Sequence, residues 1–543
     1  IRDWVEDENI LGEMQNGFRP GRRTEDCLFI LTSAIEMSRS AKEELFCAFI
    51  DATQAYDRVD RRILWKTLEK IGLPETWIDI IKGLYEDNRV VLKWGELTSE
   101  WIDTNTGLRQ GCPLSPILFA LYISGLEQRL QDTGAGFRVS VRGDFFAIHR
   151  KRYQNIAGLL FADDLALLGR NVGEMEELLR VTSDFGTEMG ITFNPLKSAI
   201  VKLSGEAMKA PHTFHLQGKE LPMANSYKYL GITLSNSKNY LDIQEKEWWE
   251  RAERAQKQLR ARVLWSFNKF EKSRILWKAT AVPQLTYANA VINMSTSLRK
   301  KLAVAQNAVG RWALGIPNST VASNFIEGEL GWSPFEAQSK LRFFTRVDIL
   351  PQGRWVKSVL EMTKVLACET AAYKRVLHLR EQFGCESITL SYQNGHPCMG
   401  KFSREIRKQV SDSVETAWEE EMQDKSTLTR YRNFKKIRGS REVQYDNSRG
   451  SALLALARAG ALQTRSARAR YVRGEEGTCH NCGVYEETIE HIILECGDRY
   501  ASDIETDEML GFSDAPQIQI LRRTKKILTE WEITARSADS IRL

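Results

Sequence analysis

The sequence predicts an α+β fold that gives way to an α-rich region and closes on a small cysteine/histidine unit. Three observations carry this reading. LFCAFI (45–50) is an unbroken apolar run ending at Asp51, the pattern of a strand buried on both faces. GLLFADDLALLG (158–169) has apolar residues on both sides of an aspartate pair and glycine at each end, the pattern of a β-hairpin. From residue 240 to about 475 the spacing is mostly helical. Around 240–265, Ala252, Ala255, Leu259 and Val263 fall at three- and four-residue steps on one face.

The remaining elements follow in order. NGFRPGRRTED forms a Gly/Arg turn between two helical patterns within residues 1–40. Residues 58–86 read as helix punctuated by Gly72 and Pro74, and 90–105 as strand with a turn at Gly95. TGLRQGCPLSP (106–116) is a loop of small residues ahead of a helix at 117–130. Residues 131–155 look polar and irregular, and a helix at 173–189 precedes a strand within 191–204. At 543 residues the chain is too long for one core. Its 42% hydrophobic and 27% charged content is that of a globular protein, and no apolar run is long enough for a membrane span. A net charge of +5 says little about partners by itself. Six of the nine cysteines are scattered and read as reduced thiols.

The acidic residues pose an energetic problem. Adjacent carboxylates within apolar flanks repel, and burying them is costly. If the strand ending at Asp51 neighbours the hairpin carrying Asp163 and Asp164, three carboxylates converge at one sheet edge. Divalent cations make that arrangement favourable, and hard oxygen donors suit Mg²⁺. Two such ions about 3.5–4 Å apart form a clamp for phosphoryl transfer.

AFIDATQAYDRV, LRQGCPLSP and FADD, in this order and spacing, resemble the polymerase motifs of reverse transcriptases, in the form found in non-LTR (LINE-like) retrotransposons. NGFRPGRRT, GITFNPLKS and YKYLGITLS fit the same series, and ILWKATAVPQLTYANAVI (275–292) resembles the family's thumb segment. The resemblance implies a right-hand polymerase: partial fingers and palm over 1–235, a helical thumb over 236–350, a helical, basic connector over 351–473, a zinc knuckle over 474–500 and a tail over 501–543. It implies that Asp51, Asp163 and Asp164 hold two Mg²⁺, and that Tyr56 selects dNTPs by excluding a 2′-hydroxyl. Gln110 and Gly111 would shape the nucleotide and template pocket. Arg19 would face a phosphate, and Lys197 would donate a proton to pyrophosphate. The implied activity is RNA-directed DNA polymerisation from a DNA primer or target, on an RNA template, acting in the nucleus, with an element-encoded RNA-binding protein as a further partner. Only a short segment precedes Gln15, so the chain reads as truncated at its N-terminus. The alternative is a catalytically impaired relic that only binds RNA or DNA.

Near the C-terminus, CHNCGVYEETIEHIILEC spaces Cys479, Cys482, His491 and Cys496 as C-x2-C-x8-H-x4-C, which suits one closed, structural Zn²⁺ site. The unit resembles the family's zinc knuckle. Upstream, RYRNFKKIRGSR (430–441) offers Arg430, Arg432, Lys435, Lys436, Arg438 and Arg441 to phosphates, with Tyr431 and Phe434 as stacking platforms.

Overall fold

A computed structural model of the chain describes all residues except 142–151, 209, 318–320, 333–336, 366–369, 390, 394–395, 441–443, 497–503, 513–516 and 542–543. It divides into two compact units. One comprises Ile1–Glu245, Ala288–Asn293 and Lys340–His378; the other comprises Lys246–Tyr287, Met294–Ser339 and Leu379–Leu543. The stretch 236–350, expected as one thumb, contributes to both. The return to the first unit has an apolar cause: Phe343 and Phe344 meet Phe29 edge-on, with ring centroids 5.5 and 5.4 Å away.

The first unit is built on a four-stranded antiparallel sheet. Its strands are β1 (Leu45–Ile50), β2 (Gly158–Phe161), β3 (Asp164–Gly169) and β4 (Ala199–Ser204), in the order β4-β1-β3-β2. β1 lies between two strands, and every one of its residues is buried, as the unbroken apolar run predicts. Helices α1 (Thr24–Ala41) and α3 (Val172–Glu188) pack on the sheet, and α2 (Ser115–Tyr122) follows the small-residue loop. α3 starts where the Asn171 side chain accepts from the Glu174 N–H, and it buries Met175, Leu178, Leu179 and Phe185. Residues 137–141 and 152–156, expected to be irregular, pair as antiparallel strands. The expected hairpin at 90–105 is present as two short ladders, Arg89–Val90 with Ile102–Asp103 and Lys93–Trp94 with Leu97–Thr98.

The second unit is mainly helical. α4 (Ser323–Leu330) ends on a charge sealed from solvent. Glu329 is fully buried and accepts from Arg458, Tyr431, Tyr445 and Ser440. Burial alone would raise its carboxyl. Arg458 foremost, then Lys435 and the hydroxyls of Ser440 and Tyr445, instead hold it down at about 2. The expected C-terminal tail contains a long helix, α5 (Ile518–Ile541), whose Leu521, Leu528 and Trp531 join Leu453, Leu454, Ile492 and Ile493 in one core. These apolar side chains repeat at helical spacing, so the segment is structural rather than a loose extension.

Candidate functional site

β1 and β3 pair with Phe46 opposite Gly169 and Ile50 opposite Leu165. Continuing that register by one residue sets Asp51 opposite Asp164. Directly opposed residues in an antiparallel pair share a face, with Cα atoms about 4.5–5.5 Å apart. β2 and β3 are joined by a two-residue turn, Ala162-Asp163, so Asp163 stands beside the pair. The sheet therefore gathers three acids from two distant chain segments. Partial burial first, then the charge of Asp51, raises the Asp163 carboxyl above its ordinary range. Asp164 reaches solvent, yet burial of part of its carboxyl, followed by the charges of Asp163 and Asp51, pushes it up to about 6. A site that holds protons this way also holds cations, and three carboxylates form an oxygen donor set fitting a hard divalent ion.

The surrounding loops fix these acids. The Asp51 N–H donates to Ser198 Oγ at 2.9 Å, and its carbonyl accepts from the Asn194 N–H at 2.9 Å, so the NPLKS turn grips the end of β1. Lys197 in that turn is exposed, and its ammonium has no recorded partner among the described residues. Beyond it, the hairpin 226–235 stacks Tyr227 flat on Phe49, with ring centroids 4.5 Å apart. Burial foremost, then Asp51 and Asp164, raises the Tyr227 hydroxyl, which puts this hairpin within reach of the acid cluster's field.

The loop carrying Gln110 and Gly111 docks on the segment after β1. The Leu108 N–H donates to the Tyr56 carbonyl at 2.8 Å, and Gln110 Nε2 donates to Asp57 Oδ1 at 3.0 Å. A Cβ on Gly107 would lie 2.6 Å from the Asp57 carbonyl oxygen, so glycine is required for that approach. Gly111 has φ +78 and faces open space. The Tyr56 ring stacks on Phe119 at 4.6 Å. Its hydroxyl is buried without a hydrogen-bond partner among the described residues, and burial, then Asp163, pushes it up to about 12. Tyr56, Gln110, Gly111 and the three aspartates thus belong to one neighbourhood.

Arg19 belongs elsewhere. Its guanidinium is buried, forks onto both Glu6 carboxylate oxygens at 2.7 and 2.9 Å, and donates to the Gly12 and Gln15 carbonyls. All its donating capacity faces inward, so the expected phosphate contact is replaced by a fastening of the N-terminal turn. Two residues outside the sequence reading take part in the site. Arg61 donates to the carbonyls of Thr104, Thr106 and Gly107, holding the loop before Gln110. Gln15 brackets the Ala162 peptide at the acidic turn. An arginine beside another arginine on a helix, or a glutamine two residues before a glycine, carries no distinctive sequence pattern; only the partner's position reveals the role.

In the second unit the ligand atoms of Cys479, Cys482, His491 and Cys496 all lie within 4.8 Å of one another. Cys479 and Cys496 sulfurs are 3.8 Å apart, and Cys482 Sγ lies 3.3 Å from His491 Nε2. The backbone explains the convergence. The Cys479 N–H donates to the Tyr485 carbonyl at 2.7 Å, and Gly483 at φ +67 turns the chain just after Cys482. His491–Glu495 is one turn of π-helix, closed by the Cys496 N–H on the His491 carbonyl at 2.8 Å. In an α-helix, residues five apart point about 140° away from each other. Bonding from i to i+5 absorbs the extra residue and brings both ligands to one side. The Tyr485 N–H foremost, then that of Val484, lowers the Cys482 thiol to about 6, which favours the thiolate a metal needs. The donor set suits a tetrahedral zinc site.

The basic segment is largely turned inward. Tyr431 is fully buried on Glu329 and offers no platform for bases, whereas Phe434 stacks on Phe512 at 6.0 Å and stays exposed. Arg430 pairs with Glu490, Arg432 donates to the Gln423 carbonyl, Lys435 to the Gly439 carbonyl and Arg438 to the Trp332 carbonyl. Lys436 is exposed, and Arg441 lies outside the described residues. Alternating basic and aromatic residues are as suited to tying carbonyls and acids of a core as to meeting phosphates, and here the core takes them.

Residues 1–234 match the family described as reverse transcriptase (RNA-dependent DNA polymerase). The retrovirus-related Pol polyprotein of type-2 retrotransposable element R2DM from Drosophila melanogaster is 27% identical over 230 residues, 41% of this chain and 20% of that protein. A Pol polyprotein of type-1 retrotransposable element R2 from Popillia japonica is 27% identical over 217 residues, 39% of this chain and 34% of its own length. The probable RNA-directed DNA polymerase from transposon X-element of Drosophila melanogaster is 23% identical over 325 residues, 57% of this chain and 33% of that protein. The chain therefore spans about a fifth to a third of the curated relatives it matches. Over residues 1–234 the chain is thus similar to the reverse transcriptase (RNA-dependent DNA polymerase) family, and over part of its length to the polyproteins of R2 retrotransposable elements.

Proposed function

We propose that the chain is an RNA-directed DNA polymerase of a LINE-like element, adding dNTPs to a DNA primer or target 3′-hydroxyl on an RNA template. The observation that carries this is the register that sets Asp51 opposite Asp164 beside the turn bearing Asp163, the carboxyls of Asp163 and Asp164 being raised by partial burial first and by the neighbouring acids next. Two Mg²⁺ held by these three residues would activate the primer hydroxyl and stabilise leaving pyrophosphate. The residues around them have definable tasks. Tyr56, braced by Phe119, presents an immobile ring that excludes a ribose 2′-hydroxyl. Gln110 and Gly111 shape the base and template side, with Gly111 leaving room for close approach. Lys197, exposed and without a recorded partner, is the proton donor to pyrophosphate.

The Cys479/Cys482/His491/Cys496 site holds one structural Zn²⁺ that stabilises the C-terminal π turn. The working environment is the nucleus, where a nicked target supplies the primer, and an element-encoded RNA-binding protein is a further partner. The test is incorporation of dNTPs on a primed RNA template with Mg²⁺ by the purified chain. Incorporation is expected, with loss of at least about a hundredfold in Asp163→Ala. Absence of incorporation by the unaltered chain, or equal incorporation by Asp163→Ala, refutes the proposal.

A further inference from the structure

The segment before Arg19 runs along the edge of β2. Leu160 N–H donates to the Met14 carbonyl at 2.9 Å, and the Asn16 N–H donates to the Leu160 carbonyl at 2.8 Å. This backbone pairing stops short of the turn. A side chain takes over there: Gln15 Oε1 accepts from the Ala162 N–H at 3.0 Å and the Gly17 N–H at 2.8 Å, while Nε2 donates to the Ala162 carbonyl at 3.1 Å. The carboxamide is buried, with Gln15 only 4% exposed.

The two contacts to Ala162 lie on different peptide planes. Its N–H belongs to the peptide before the Cα, and its carbonyl to the peptide leading into Asp163. Rotation about either backbone bond of Ala162 breaks one of the contacts. Ala162 also has φ +60, a left-handed conformation that a residue with a Cβ does not hold unaided. Close approach is a condition of the grip, since a Cβ on Gly17 would lie 2.2 Å from the Ala162 nitrogen and 2.9 Å from its Cα.

We infer that Gln15 is a positioning residue: it locks the Ala162 backbone in its left-handed state and thereby sets the direction of the Asp163 and Asp164 carboxylates, with Gly17 admitting the chain closely enough to do so. The function of the NGF turn is then to hold the acidic hairpin in register. This rests on the proposed metal-holding role of Asp51, Asp163 and Asp164.

The test is a Mn²⁺ titration of the full chain followed by electron paramagnetic resonance, with Asp163→Ala marking which bound Mn²⁺ belongs to the acidic turn. Gln15→Ala is expected to weaken that site by about tenfold, the lower end of what removal of an outer partner costs a metal site. The discriminating readout is rescue. Adding Ala162→Gly to Gln15→Ala should recover part of the affinity, because glycine adopts the left-handed state without a grip. Loss of packing or general stability would not be repaired that way. Unchanged Mn²⁺ affinity in Gln15→Ala, a loss that Ala162→Gly leaves in place, or no Asp163-dependent Mn²⁺ in the unaltered chain overturns the inference. An unaltered chain that polymerises nothing, but whose Mn²⁺ site weakens in Gln15→Ala and recovers with Ala162→Gly, refutes the polymerase and leaves the positioning role standing.

Discussion

Replacing Asp164 by Asn should make the metal-free chain more stable while disabling the site. Asp164 has its carboxyl raised from an ordinary 3.8 to about 6, by partial burial first and by Asp163 and Asp51 next. In this window the folded state binds more protons than the unfolded state, so stability falls as pH rises, and the loss is complete above about 6. At full value the shift corresponds to about 3 kcal/mol. The side chain reaches solvent, and screening reduces this to about 1 kcal/mol. Asp164→Asn removes the penalty, and thermal unfolding in EDTA above pH 6 should show a rise of about 2–4 °C. The gain should vanish as pH falls below 3.8, where the aspartate becomes neutral in either state. Mg²⁺ should reverse the order above pH 6, stabilising the aspartate form by about 2.7 kcal/mol at a hundredfold excess over its dissociation constant, and the asparagine form much less. No gain in EDTA, or an equal gain at all pH values, would refute the account of Asp164 as a strained, cation-seeking carboxylate.

Three further outcomes concern the second unit. Glu329→Ala leaves the Arg458 guanidinium buried without its counter-charge and should cost about 3–5 kcal/mol in urea unfolding. With Glu329 intact, its stabilising contribution is present above the ordinary carboxylate range and is lost as pH falls towards about 2, which an acid titration of unfolding measures. Cys482→Ser should abolish stoichiometric zinc measured by atomic absorption, and should increase hydrogen exchange at His491–Cys496, where the π turn joins two of the three remaining ligands.

The acids and their strands were legible because the chemistry is local. LFCAFI ending in Asp51 and the apolar arms around Asp163 and Asp164 announce buried strands with exposed acidic ends, and the pairing of β1 with β3 is the arrangement those patterns require. The four zinc-type ligands were equally plain, because thiolates and imidazole at short fixed spacings have few other uses. Arg19 and Tyr431 were misread for a common reason. Charge and aromaticity advertise the ability to bind a phosphate or a base, but the same groups satisfy a buried Glu6 or Glu329 equally well.

By itself, then, the sequence determined which residues are acidic strand ends, which can ligate a metal, and the motif order that relates residues 1–234 to reverse transcriptases. Only the tertiary structure decided which polar groups are spent inside the fold. It turned Arg19 and most of the basic segment inward, and it drew Gln15 and Arg61 into the site. The physical reason is that a hydrogen bond depends on where its partner lies. Gln15 and Ala162 are 147 residues apart in the chain and 3.0 Å apart in the fold.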